Sequence, residues 1–132
     1  MESVKLYRNR LRCITDNLAA SRNGVQGIKE YFYNFIEFSR IGDAKYGCLI
    51  TNTANELTES TDDAIKLEVV KFVNEIRSLF LNNLKQDFSK NEDTLEQQAN
   101  YLIISMAGLA NATKMFSETQ LSDYIELIFK NI

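Results

Sequence analysis

A chain of 132 residues has the length of one domain, and 45% hydrophobic with 25% charged residues is ordinary for a folded globular protein. Its formal net charge of −3 gives no electrostatic footprint for a phosphate backbone, so nucleic-acid binding by this piece alone is not expected. The absence of histidine removes the commonest general base and the commonest metal ligand, and no apolar run reaches the roughly 18 residues that a membrane span needs.

With no proline and only five glycines, the chain favours long uninterrupted helices. The first is expected over residues 2–20, where Val4, Tyr7, Leu11, Ile14 and Leu18 form one apolar stripe at helical spacing. It begins with little room for a cap, as a helix entered part-way along. Met1-Glu2-Ser3-Val4-Lys5 also lacks the apolar region of a signal peptide, so the expected location is the cytoplasm. Ser21-Arg22-Asn23-Gly24 reads as a turn with Gly24 as the stop. A second helix follows over residues 25–40, with Ile28, Phe32, Phe35 and Ile36 on its stripe and Tyr31 and Phe38 at its flanks.

After a loop over residues 41–46, a short helix is expected over residues 47–57. Thr58-Glu59-Ser60-Thr61-Asp62-Asp63 is dense in capping and acidic residues, which suit a helix start. A long helix over residues 62–88 then carries Ile65, Val69, Phe72, Val73, Ile76, Phe80, Leu84 and Phe88 on its expected buried face. Ser89 to Asp93 breaks it. A fifth helix spans residues 94–116, with apolar Leu95, Leu102, Ile103, Met106 and Leu109. Its small Ala99, Ala107, Gly108 and Ala110 would permit close helix approach. A sixth covers residues 120–131, with Leu121, Tyr124, Ile125, Ile128 and Phe129 on one side. The expected fold is all-α, a single-domain antiparallel bundle of about six helices.

Catalytic chemistry is not expected. Gly24 and Gly27 are an isolated pair and make no phosphate loop, two cysteines make no structural zinc site, and Asp62-Asp63 and Glu92-Asp93 read as helix caps. No cofactor or metal is called for. Cys13 and Cys48 are expected as reduced, mostly buried thiols. A bundle this rich in Phe and Tyr either fills its core with them or leaves an interhelical pocket. The candidate walls are Tyr7, Leu11, Phe32, Phe35, Phe72, Ile76 and Met106, and the candidate polar groups are Asn52, Asn55, Tyr101 and Ser105.

The run Gly47-Cys48-Leu49-Ile50-Thr51-Asn52-Thr53-Ala54-Asn55-Glu56-Leu57 resembles the short central helix in the C-terminal domain of one branch of the tetracycline-repressor (TetR) family of transcriptional regulators. Tyr31-Phe32-Tyr33-Asn34-Phe35 resembles the aromatic helix before that motif, and Thr61-Asp62-Asp63 the acidic cap before the family's long helix. The resemblance covers essentially the whole chain in helix order. It implies an effector-binding and dimerisation domain of a bacterial repressor, in which the first helix resembles the end of the linker from a helix-turn-helix DNA-binding domain. No helix-turn-helix precedes that helix here, so the reader is expected N-terminal to Met1, and DNA contact only through it.

The resemblance further implies a homodimer and a small, hydrophobic effector in the pocket, with Asn52 as a hydrogen-bonding group and Cys48 beside it. The last two helices would supply the dimer contacts through Leu102, Met106, Leu109, Ala110, Leu121, Tyr124, Ile125 and Ile128. Two other readings stay open: a thiol sensor of electrophiles or oxidants, in which the helix dipole and Lys45 activate Cys48, and a free-standing dimerisation or ligand-binding protein without DNA-binding activity.

Overall fold

The computed structural model describes the helices and turns of residues 2–41 and 63–132. Five α-helices occupy them: α1 (Glu2–Ala20), α2 (Val25–Ile41), α3 (Asp63–Leu84), α4 (Glu92–Ala112) and α5 (Glu118–Lys130). The described residues contain no strand. The all-helical expectation therefore holds, while the expected short helix over residues 47–57, with Cys48 and Asn52, lies outside the described residues, as does the side chain of Tyr7.

Each helix buries much of the stripe that its spacing marks, although Ile14, Val73, Ile103 and Phe129 are only half-buried and Tyr124 is exposed. Leu11 and Leu18 of α1, Ile28, Tyr31, Phe32, Phe35 and Ile36 of α2, and Val69, Phe72, Ile76, Phe80 and Leu84 of α3 are all core residues. Cys13 corrects the expectation of a buried thiol: it stands two residues beyond Leu11 on the outward side of α1 and is exposed. The α2 helix is central and packs on each of the other four. Its aromatics lock it in place. Phe80 meets Tyr31 and Phe32 at ring-centroid distances of 5.6 and 5.7 Å, and Phe129 of α5 meets Phe32 edge-on at 5.2 Å.

The α2 helix runs antiparallel to α3 and to α5, while α1 and α3 lie alongside each other in the same direction. The start of α2 lies against the end of α3, where the Gly24 amide donates to Gln86 Oε1 (2.7 Å) and Asn83 Nδ2 donates to the Gly24 carbonyl (3.1 Å). Gln86 Nε2 completes the clamp by donating to the carbonyl of Ser21 (3.0 Å). Gly24 carries the single positive φ among the described residues, 58°, which turns the chain between α1 and α2 without a Cβ penalty. Asn83 is only 2% exposed, and its amide adds a side-chain donor to the Gly24 carbonyl, which also accepts the Gly27 amide (3.1 Å) at the start of α2. The outer helices are tied in turn: Arg77 of α3 bonds Asn100 and Glu96 of α4, and Lys29 and Tyr33 of α2 hold Glu126 of α5.

Four helix boundaries differ from expectation by two residues or more. The α4 helix ends at Ala112, not at residue 116, where the chain passes into turns at Thr113 to Ser117. The other three have local reasons as follows. The α3 helix stops at Leu84. Gln86 and Asp87 then close short turns, and Asp87 Oδ1 accepts both the amide and the hydroxyl of Ser89 (3.0 and 2.6 Å). Phe88 is consequently 95% exposed, not buried. The α4 helix starts two residues early because Asn91 Oδ1 caps it by accepting the Thr94 amide (2.8 Å). Ser117 and Gln120 form a capping box, so α5 also begins early, at Glu118.

Candidate functional site

The outward side of α4 is unlike any other surface of the bundle. From Gln97 to Thr113 the sequence contains no charged residue. Leu95, Ala99, Leu102, Met106, Leu109 and Ala110 turn inward. The opposite side, centred on Ile104, is exposed: Tyr101, Ile104, Ala107, Gly108 and Asn111 follow one another at helical spacing. Ile104 is 71% exposed. An exposed helix face is ordinarily the charged one. This one is uncharged and small at its centre, and a Cβ built on Gly108 would meet nothing within 4 Å.

The same region holds a groove of about 440 Å³. Its floor exists because Gly108 and Ala112 have little or no side chain, and because the chain leaves the helix at Thr113. The backbone of Phe116 then folds back to the Ala112 carbonyl (3.0 Å), and the capping box fixes where α5 departs. Leu109 and Leu121 form the apolar base, with Phe116 and Tyr124 at the sides and Gln120 at the edge. None of these side chains is charged. Gln120 Oε1 is committed to the Ser117 amide (2.9 Å), which leaves its NH₂ as the available end. Leu127, 60% exposed, follows Tyr124 by three residues and extends the apolar surface along α5.

Of the residues expected to form an interhelical pocket, Tyr7, Cys48, Asn52 and Asn55 lie outside the described side chains, and the others lie apart from this groove. Leu11, Phe32, Phe35, Phe72, Ile76 and Met106 are buried in the common core, and none lines the groove. Phe72 and Ile76 also edge an open depression with Arg12, Thr15, Asp16 and Glu75, whose lining is mostly polar. Ser105 is buried on α4, whereas Tyr101 is 43% exposed on its outward side. Of the residues expected at a dimer contact, Leu102, Met106, Leu109, Ala110, Leu121, Ile125 and Ile128 are buried within the single chain, and Tyr124 is 44% exposed. The residues that sequence reasoning passed over are Ile104, Phe116 and Leu127. The signal for Ile104 was the long uncharged stretch from Gln97 to Thr113 around it.

A third cluster joins α2 to α5 on the opposite side. Tyr33 donates to Glu126 Oε2 (2.6 Å) and lies 3.1 Å from the Ser122 hydroxyl, while Lys29 donates to Glu126 Oε1 (2.9 Å). The hydrogen bond from Tyr33, and then that from Lys29, hold the Glu126 carboxyl below its usual range. Burial, and then the bond to Glu126, push the Tyr33 hydroxyl up. Every member is matched by another, so the cluster reads as a fastening between helices. Among the described residues no group of acidic or cysteine side chains is placed to hold a metal ion, and no helix is long and apolar enough to cross a membrane.

No protein-family model, curated protein or solved structure matches the chain. The functional reading therefore stands on the residues and their placement.

Proposed function

We propose that the chain is the dimerisation and effector-sensing half of a TetR-like transcriptional regulator, and that two copies join through the uncharged outward side of α4 with the adjoining Tyr124 and Leu127 of α5. The observation that carries this reading is the exposed stripe of Tyr101, Ile104, Ala107, Gly108 and Asn111, in a segment with no charge over seventeen residues. A face without charges requires no complementary charge on its partner, so it can meet a copy of itself across a two-fold axis. Ala107 and Gly108 at its centre let two helices approach closely, with Ile104 packing beside them. At about 1.5 Å per residue the seventeen uncharged residues run about 25 Å. At about 20 Å wide, two helix diameters, they would bury about 1,000 Å² in all between two copies, the least a specific interface needs.

The TetR part of the reading is supported by the resemblance of Gly47 to Leu57 and by the order of the helices. On it, DNA contact belongs to a separate reader domain, and this half sets the distance between two readers. Dimer formation is tested by sedimentation velocity of the 15.2 kDa chain. The expected species has twice that mass, and Ile104→Glu, which places a charge at the centre of the face, reduces it to the single chain with unchanged helical circular dichroism. A wild-type chain that remains a monomer at high micromolar concentration overturns the reading.

A further inference from the structure

We propose that Asn23 is a self-modification site. Its side-chain amide condenses with the main-chain nitrogen of Gly24, loses ammonia and is hydrolysed to isoaspartate, which loosens the α1–α2 turn. Gln86 of α3 sets the rate by holding the proton of that nitrogen. The inference goes beyond the dimer and effector reading and uses none of its residues. It concerns only the turn between α1 and α2 and the end of α3.

Asn23 is the one asparagine of the chain that precedes a glycine. Ring closure brings the Gly24 nitrogen against Asn23 Cγ, and a following residue without a Cβ hinders that approach least. Asn23 is exposed, so water reaches it and ammonia can leave. The chemistry balances with water as the only co-reactant. The Gly24 nitrogen gives up its proton and bonds to Asn23 Cγ. The bond from Cγ to Nδ2 breaks, and Nδ2 departs as ammonia with that proton. Water then opens the five-membered succinimide. Attack at Cγ gives aspartate on the original main chain. Attack at the Asn23 main-chain carbonyl gives isoaspartate, in which the chain runs through Cβ and Cγ and is one atom longer. Nothing is oxidised or reduced.

The fold controls the first step. The Gly24 amide donates to Gln86 Oε1 at 2.7 Å, so the proton that must leave is held. The carbonyl of the same peptide group, that of Asn23, accepts the Gln26 amide (3.1 Å). The peptide is thus tethered at its nitrogen and at its oxygen. The product acts on the same clamp. Gln86 grips Ser21 and Gly24 at once, and Asn83 Nδ2 donates to the Gly24 carbonyl (3.1 Å). An extra main-chain atom between Ser21 and Gly24 displaces one anchor point from the other and slackens the grip of α3.

The test incubates the protein at mildly alkaline pH, follows Asn23 by peptide mapping and measures isoaspartate by enzymatic methylation. Conversion is expected at Asn23 ahead of every other asparagine, and more slowly in the folded chain than in urea. Gln86 is exposed, so replacing it leaves the core intact. Gln86→Met removes both of its bonds and should speed conversion of the folded chain about two- to tenfold, the worth of about one hydrogen bond. In urea the two proteins should convert alike. Gln86→Glu keeps an acceptor for the Gly24 amide but loses the donor to Ser21, and should stay at the wild-type rate. A Gln86→Glu rate equal to that of Gln86→Met assigns protection to the turn as a whole and overturns the role of Gln86. A folded wild-type chain that converts as fast as in urea overturns it too. An Asn23 that stays intact in folded Gln86→Met, yet converts in urea, overturns the site in the native protein. The isolated isoaspartate form should melt below Asn23→Asp, which carries the same charge on an ordinary main chain. Equal melting overturns the loosening of the turn.

Discussion

The two ends of chain traffic through this bundle are finished in opposite ways. Where α1 turns into α2, the turn is fastened to α3 by side-chain hydrogen bonds. Asn83 and Gln86 of α3 reach across to bond Gly24 and Ser21, and Gly27 packs so closely that a Cβ would collide with Ser21 Oγ and Asn83 Nδ2. Where α4 turns into α5, the local caps are satisfied, but a Cβ added at Gly108 would meet nothing within 4 Å, and the α4 segment around it bears no charge. The first region shows what a finished internal contact looks like in this chain. The second has small residues and exposed apolar side chains, the features on which the proposed dimer contact rests. The proposed second copy would cover the uncharged face of α4 as Asn83 and Gln86 of α3 already cover the α1–α2 turn.

The largest way to test that contrast is to compare a core aromatic with the centre of the bare face. Phe80 is fully buried and meets two aromatic rings of α2. Phe80→Ala is expected to lower the unfolding free energy by about 3–5 kcal/mol in a denaturant titration. Ile104→Glu should leave the unfolding of the separated chain within about 0.5 kcal/mol of wild type, because the side chain has almost no contacts to lose. A large loss from Ile104→Glu in the monomer would mean that the α4 face is structural within one chain.

The helical glycines sharpen the comparison at lower amplitude. Gly27→Ala forces Ser21 and Asn83 to move, and both are anchored: Ser21 Oγ accepts the Asn23 amide and Asn83 serves Gly24. The expected cost is about 1–3 kcal/mol. Gly108→Ala enters open space and removes a flexible residue from a helix, so it should stabilise the chain by about 0.5–1 kcal/mol. Thermal unfolding of the two variants should therefore move in opposite directions. A shift of the same sign in both would show that neighbours do not distinguish the two sites.

How far the sequence discloses this arrangement depends on what each signal measures. Helical spacing reports burial, and the stripes Ile28-Phe32-Phe35-Ile36 and Val69-Phe72-Ile76-Phe80-Leu84 are found buried as spaced. Spacing cannot say where a helix stops. Phe88 continues the period of α3, yet the bonds of Asp87 to Ser89 take the chain out of the helix before it. Nor can it say which neighbour does the burying. Leu102, Leu109, Leu121 and Ile125 have the same apolar pattern whether they meet their own chain or another, and here they meet their own. The informative property of the outward face of α4 is the charge it lacks, and apolar periodicity does not register an absence. The groove is equally hidden, because it arises from the angle between two helices set by the Ser117–Gln120 cap.

The smallest effect expected concerns the fastening of α5 to α2, and its sign follows from the two displaced pKa values. The carboxyl of Glu126 is lowered by the bonds from Tyr33 and Lys29, so its contribution is present above the usual carboxylate range and is lost as pH falls through the lowered value. The hydroxyl of Tyr33 is raised by burial and by Glu126, so its contribution is present below the usual tyrosine range and is lost as pH rises through the raised value. Between these limits the attachment should be insensitive to pH. Glu126 is largely exposed, which screens its pairing with Lys29 and keeps the effect small. Glu126→Gln keeps an acceptor for Tyr33 but loses the charge that Lys29 meets. Its melting temperature should lie slightly below that of wild type at neutral pH and converge with it in acid. A difference that persists in acid would assign the loss to changed packing, and the α2–α5 contact would then rest on Phe32 and Phe129 alone.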